Sequence, residues 1–140
     1  AESGIKYFIL GSLSSGMLLF GMSLIYGFTG TLDFAVLAST IENMDTIPFG
    51  LTFGLVFVLA GLAFKISAVP FHMWTPDVYQ GAPTAVTAFF ALVPKIAAFA
   101  VLMRLIYEPF AGMADQSHQI LYFLAVMSMI VGAFAAIAQD

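Results

Sequence analysis

Residues 64–95 read FKISAVPFHMWTPDVYQGAPTAVTAFFALVPK, and this stretch decides how the remainder of the chain is read. It contains two of the three lysines, one of the two histidines, the only tryptophan and four of the six prolines. It joins two long apolar runs. Lys65 and Lys95 lie inside those runs, where a charged side chain is expensive and marks a functional position unless it is structurally paired.

Working outward, composition sets the class. Hydrophobic residues make up 61% of the 140 and charged residues 9%, against about 45–50% and about 25% in soluble domains. A soluble fold of this size would leave large apolar patches exposed. The expected fold class is therefore all-α integral membrane, with the lipid bilayer as a partner. The formal net charge of −4 argues against nucleic-acid binding, which needs a basic footprint. Without cysteine the chain forms no disulfide, does no thiol chemistry and offers no cysteine ligands to an iron–sulfur cluster. No basic, cleavable leader precedes the first apolar run, and the last run breaks off at Gln139-Asp140, so an internal piece of a larger membrane protein is expected.

Four spans are expected, over about 5–28, 48–69, 84–107 and 119–138. Each suits a hydrocarbon core of about 30 Å at about 1.5 Å per residue. The first carries small residues four apart, Gly11 with Ser15 and Ser12 with Gly16, which suit close helix contact. Glu2 and Lys6 read as a surface ion pair or as a charged pair feeding a buried path. The loop to Pro48 is acidic, with a turn at Gly27–Asp33 and room for a short interfacial helix at 32–37. The second span is expected to break after Lys65, because Pro70 lacks a backbone donor and biases Val69 away from helix. Thr75-Pro76-Asp77 reads as a cap and helix start, and Gly81–Thr84 as a turn before the third span. Lys95 falls midway along that span, about 17 Å from either end at about 1.5 Å per residue, where snorkelling is hardest. Pro94 beside it frees the carbonyl of Phe90 from its helical partner. Residues 108–118 form a second acidic loop, and the fourth span reads as packing. The charge pattern inclines the acidic loops towards the outside, although Arg104 works against a clean count.

The chemistry centres on the lysines. Low dielectric favours a neutral amine, and a neighbouring carboxylate favours the ammonium. A lysine whose partner engages and withdraws therefore takes up and releases a proton, as a relay requires. Histidine has an unperturbed pKa of about 6.5, and His72 would act as a shuttle between them. Blander readings stand beside these. Lys65 is close enough to the break to reach an interface, Lys95 would suit a fixed ion pair, and His72 a hydrogen-bonded loop or core histidine. Trp74 reads most simply as an interfacial anchor, and Asp77 as a turn residue. There is no nucleotide loop, serine–histidine–acid set or metal-ligand cluster, so a path for ions without a redox centre is expected.

FKISAVPFHMWTPDVYQGAPTAVTAFF, with VPKIAAF, LMRLIYEP and the earlier KYFILGSLSSGMLLFGMSLIYGFTGTLDF, closely resembles the subunit N family of proton-pumping NADH–quinone oxidoreductase, respiratory complex I. Cation/proton antiporter subunits share the proline, tryptophan, aspartate and glycine positions, but the VPFH and VYQGAPT wording is that of subunit N. The resemblance implies four helices of a larger antiporter-like bundle with inverted repeats and discontinuous helices, residues 1–140 forming part of one proton-translocating domain. It matches Lys65 to the lysine of the family's broken seventh helix and Lys95 to that of the eighth. His72 matches a histidine on the connecting pathway. The partner glutamate, on the fifth helix, would lie upstream of Ala1, and a further lysine downstream of Asp140. The implied activity is proton translocation coupled to NADH oxidation and quinone reduction, with NADH, FMN, iron–sulfur clusters and quinone held by other subunits. The implied location is the bacterial or mitochondrial inner membrane. A cation/proton antiporter subunit is the alternative. A structural scaffold, whose lysines only stabilise packing, is a third reading.

Overall fold

The computed structural model of the chain describes residues 2–68 and 72–138. Val69, Pro70, Asp140 and the side chains of Glu2 and Asp77 lie outside the described residues, and with them the expected Glu2–Lys6 pair and the expected role of Pro70. The regular structure is helical among the described residues: α1 (Glu2–Thr29), α2 (Phe34–Glu42), α3 (Phe49–Lys65), α4 (Thr75–Gly81), α5 (Thr84–Tyr107), a single 3-10 turn (Ala111–Met113) and α6 (Ala114–Ala138). Three helices are long and apolar enough to cross a membrane, over Gly4–Thr29, Thr84–Tyr107 and Asp115–Ala138. The chain is an integral membrane protein segment.

Local chemistry explains the boundaries. α1 ends where Gly30 turns to a φ of 76°, a conformation glycine adopts without steric penalty, and its N–H bonds the Tyr26 carbonyl at 2.7 Å. α2 starts at Asp33, whose Oδ1 accepts from the backbone N–H groups of Ala35 and Val36 at 3.0 and 3.2 Å. This helix runs on to Glu42, beyond the expected 32–37, because Leu37 and Ile41 find buried places beside Phe110 and Met113. α6 begins at Ala114, ahead of the apolar run at 119. Its first turn holds Asp115, a residue type favoured at a helix start.

The second span, expected over 48–69, stops at Lys65. The Ser67 N–H bonds the Phe64 carbonyl at 3.1 Å, and the Ala68 N–H bonds the Ala63 carbonyl at 2.9 Å. This pair of bonds is a Schellman cap, and Ser67 takes its left-handed position with a φ of 60°. Glycine usually occupies that position. The helix therefore ends in a cap three residues ahead of Pro70. The chain resumes as the short α4 and turns at Ala82-Pro83 into α5.

α3 is the shortest of the four apolar helices and the most enclosed. Leu51, Gly54, Leu55, Val58, Leu59, Gly61, Leu62, Ala63 and Phe64 are all buried. Where Gly21 meets Gly54 it lies against α1 with almost no side chain between the two backbones. A Cβ on Gly21 would stand 2.7 Å from the Gly54 carbonyl oxygen, and one on Gly54 would stand 3.0 Å from the Gly21 carbonyl oxygen. Further along, Ser14 donates its hydroxyl to the Gly61 carbonyl at 3.2 Å. Small residues thus do make the contact, as a membrane interface without a hydrophobic driving force requires. They are Ser14 and Gly21, however. Gly16 has open space beside it, a Cβ on Gly11 would meet the Tyr7 ring of the same helix at 4.0 Å, and the Gly11–Ser15 and Ser12–Gly16 faces border a groove. α6 is the opposite extreme: among its described side chains only Ser117 and Leu124 are buried. Its outward phenylalanines and isoleucines suit lipid or neighbouring protein.

Candidate functional site

The site is built at the gap between α3 and α4, with α5 crossing it. Trp74 closes the gap from below. It is 5% exposed, so it is a buried hub and not the interfacial anchor its type suggested. Its ring stacks on Phe64 of α3 at 5.4 Å and meets Tyr7 of α1 edge-on at 5.4 Å and Tyr79 of α4 edge-on at 5.9 Å. The indole N–H donates to the Phe64 carbonyl at 3.1 Å, taking up a backbone acceptor of the last turn of α3. The pairing of both halves of the broken span through one aromatic cluster makes the break a fixed structure.

Pro94 produces the second opening. Proline has no N–H to return to the Phe90 carbonyl. That carbonyl is instead reached by the Tyr79 hydroxyl, which donates to it at 3.2 Å. Thr87 ties the same region down by donating its hydroxyl to the Tyr79 carbonyl at 3.0 Å. α4 therefore supplies the bond that α5 lacks at Pro94, and in doing so docks against the turn that carries Lys95.

Lys95 is partly buried, and its amine reaches the residues that follow α3. Nζ donates to Ser67 Oγ at 2.9 Å, and the Thr75 hydroxyl donates to the same oxygen at 2.6 Å. The ammonium position also faces the rings of Trp74 and Tyr79 at 5.7 and 5.8 Å, within cation–π range. Thr75 was expected to cap a helix, but its hydroxyl is turned to Ser67, and α4 starts without a side-chain cap. Lys95 has no carboxylate partner among the described residues.

Lys65 sits at the end of α3, exposed to a cavity of about 810 Å3. Ser12 and Ser15 of α1, Trp74 and Pro94 line the same cavity. Lys65 forms no hydrogen bond or ion pair among the described residues. His72 is half-buried in the turn before α4, its carbonyl accepting the Thr75 N–H at 3.0 Å. Its Nδ1 is buried and without a hydrogen-bond partner among the described residues. The structure thus brings Lys95 to the break, and Lys65 to a cavity that reaches the Lys95 turn. No hydrogen bond joins His72 to either lysine among the described residues.

Ser67, Thr75 and Tyr79 are the polar residues that sequence reasoning did not assign to the site. For Tyr79 a signal existed, since the Phe90 carbonyl freed by Pro94 requires a donor from somewhere. For Ser67 there was none, because a left-handed serine cannot be told from a helical one by its neighbours. Elsewhere, Arg104 lies at the far end of α5, paired with Glu108 at 3.2 Å and set over the Phe34 ring at 4.8 Å, as an interfacial arginine would be. No group of three or more histidine, aspartate or glutamate side chains is placed to hold a metal among the described residues.

The fold thus joins three helices long enough to cross a membrane to a shorter apolar helix that ends at Lys65, and sets Lys95 midway along one of the three. That is a membrane protein with ionisable side chains inside its apolar helices. The transmembrane family described as NADH:quinone oxidoreductase/Mrp antiporter matches residues 1–140, and the chain belongs to it. It is 60% identical over 140 residues to NADH-quinone oxidoreductase subunit N of Pelagibacter ubique (strain HTCC1062). It is also 60% identical over 139 residues to subunit N of Parvibaculum lavamentivorans. These alignments cover 100% and 99% of this chain and 29% of each relative, so the chain spans less than a third of their length. A chain in the structure of respiratory complex I from Thermus thermophilus with bound aureothin superposes with a TM-score of 0.79 at 39% identity, over 100% of this chain and 29% of that one.

Proposed function

We propose that residues 1–140 form part of one proton-translocating membrane domain of an NADH–quinone oxidoreductase in a bacterial inner membrane. The observation that carries the reading is the partly buried Lys95 midway along α5, with its amine hydrogen-bonded to Ser67 just beyond the end of α3 at Lys65. Lys65 is the switchable carrier. It faces a cavity large enough for water and for an acidic partner from another segment. Lys95 is the next carrier. His72, with water, bridges them, and its unpartnered Nδ1 supports that role, since a buried polar atom without a partner costs about 1–3 kcal/mol and favours a proton donor beside it.

The residues act by changing which charge state the break stabilises. A protonated Lys95 gains the Ser67 oxygen and two aromatic faces. Loss of any of these, or approach of positive charge at Lys65, favours release. Electrostatic or conformational signals from quinone reduction elsewhere would act on that balance. NADH, FMN, iron–sulfur clusters and quinone belong to partner subunits, and other complex I membrane subunits are the protein partners. The family also takes in Mrp antiporters, so a cation/proton antiporter is the second reading. The names of the relatives favour the first, and co-purification with redox subunits separates the two.

The test is NADH-driven proton pumping in membranes carrying the full-length protein with Lys95→Met. Assembly is expected to be normal and pumping to fall at least about tenfold, the scale of losing one proton-transfer group. Normal assembly with normal electron transfer and normal pumping would remove Lys95 from the path and the reading with it.

A further inference from the structure

We propose that Ser67 is a positioning residue for Lys95, its hydroxyl holding the amine at the break and tying it to Thr75 of α4. The inference rests on the relay reading and adds the group that fixes the carrier's place.

Three observations carry it. Ser67 Oγ is the hydrogen-bond acceptor that Lys95 Nζ reaches among the described residues, at 2.9 Å. A lysine amine on a flexible four-carbon stem has three donors and no geometric preference of its own, so its location is decided by the acceptors around it. Among the described residues, away from Ser67 the amine keeps the Trp74 and Tyr79 rings, which attract a cation without fixing its position. Next, the oxygen is held rigidly. The bonds from the Ser67 and Ala68 N–H groups fasten the backbone to the last turn of α3, and the left-handed conformation sets the direction of the side chain. Last, the residue is a poor choice for a cap alone. At a φ of 60° glycine would close α3 with less steric conflict, and the serine brings a hydroxyl that accepts from two donors at once. Because Thr75 belongs to α4 and Ser67 to the end of α3, the Thr75–Ser67–Lys95 chain links the spacing of the two half-helices to the position of the amine.

The conformational preference makes the test selective. Ser67→Gly suits the cap and removes the oxygen, so the full-length protein is expected to assemble in its complex at the parental level. NADH-driven pumping is expected to fall by about threefold to tenfold, the effect of one lost hydrogen bond. Ser67→Asn tolerates the left-handed conformation and offers a carbonyl oxygen, so it is expected to restore most of the pumping. A purely structural cap predicts the reverse order, with glycine best. Parental pumping in Ser67→Gly overturns the proposal, as does an assembled Ser67→Asn as impaired as the glycine variant. Should the glycine variant fail to assemble, the asparagine variant alone decides. Lys95→Met in the same vesicles separates the two levels. If it pumps normally the relay reading fails. If it is inactive while Ser67→Gly pumps normally, only the positioning of Lys95 by Ser67 is wrong.

Discussion

The contact between α1 and α3 and the gap between α3 and α4 meet one demand in opposite ways. In an apolar medium every backbone donor and acceptor needs a partner. Along the contact the helical ladders are intact, so the surfaces need nothing polar. They become small and approach until the Gly21 and Gly54 backbones nearly touch. At the gap the ladders are interrupted, so the surfaces become large and donor-rich. Tyr79 serves the Phe90 carbonyl, and Trp74 adds a second donor to the Phe64 carbonyl that the Ser67 N–H already bonds. A close-packed contact has no room for an ion. An interrupted ladder needs polar side chains anyway, and those same groups receive a lysine.

Variants sharpen this contrast. The largest effect on folding is expected from Gly54→Leu. Its Cβ alone would stand 2.9 Å from Ile25 Cγ1 and 3.0 Å from the Gly21 carbonyl, and neither helix can move aside without losing the contact. Destabilisation at the upper end of about 1–3 kcal/mol is expected, read as loss of assembled protein after mild heating in detergent. Smaller, but at the gap, is Tyr79→Phe, which leaves the Phe90 carbonyl without a donor at a cost of about 1–3 kcal/mol. Pro94→Ala should recover much of that loss, because an alanine N–H restores the helical partner. The double-mutant cycle therefore has a coupling of the same order, whereas independent sites would simply add. The smallest effect is expected from Ser14→Ala, about 0.6 kcal/mol. The Gly61 carbonyl it bonds still has its own helical partner, so no acceptor is orphaned. If Ser14→Ala costs as much as Tyr79→Phe, the distinction between intact and interrupted ladders fails.

Much of this arrangement was legible in the residues, for identifiable reasons. Long apolar runs dictate spans, and Pro94 dictates a free carbonyl. The ends of α5 at Thr84 and Tyr107 follow from the Pro83 and Pro109 that flank it, which is why the mid-span position of Lys95 could be read from the sequence. Other features were hidden because they depend on tertiary placement. Trp74 has the composition of an interfacial residue, and only the convergence of Tyr7, Phe64 and Tyr79 buries it. Gly11 and Ser12 carry the spacing of a helix contact, yet the helix turns them towards the Lys65 cavity and presents Ser14 and Gly21 to α3. Spacing identifies a face without saying which neighbour it meets. The end of α3 was expected from Pro70, while the bonds that close it come from Ser67 and Ala68. A left-handed serine leaves no trace in composition or periodicity.

The buried tryptophan has a consequence for optical work on this protein. It is the only indole in these 140 residues, and the Lys95 amine stands 5.7 Å from its ring. The excited state of indole carries a large dipole, so its emission wavelength follows the local electric field. A change of charge at Lys95 would therefore shift the colour of Trp74 fluorescence, which makes the ring an optical reporter for the proposed relay.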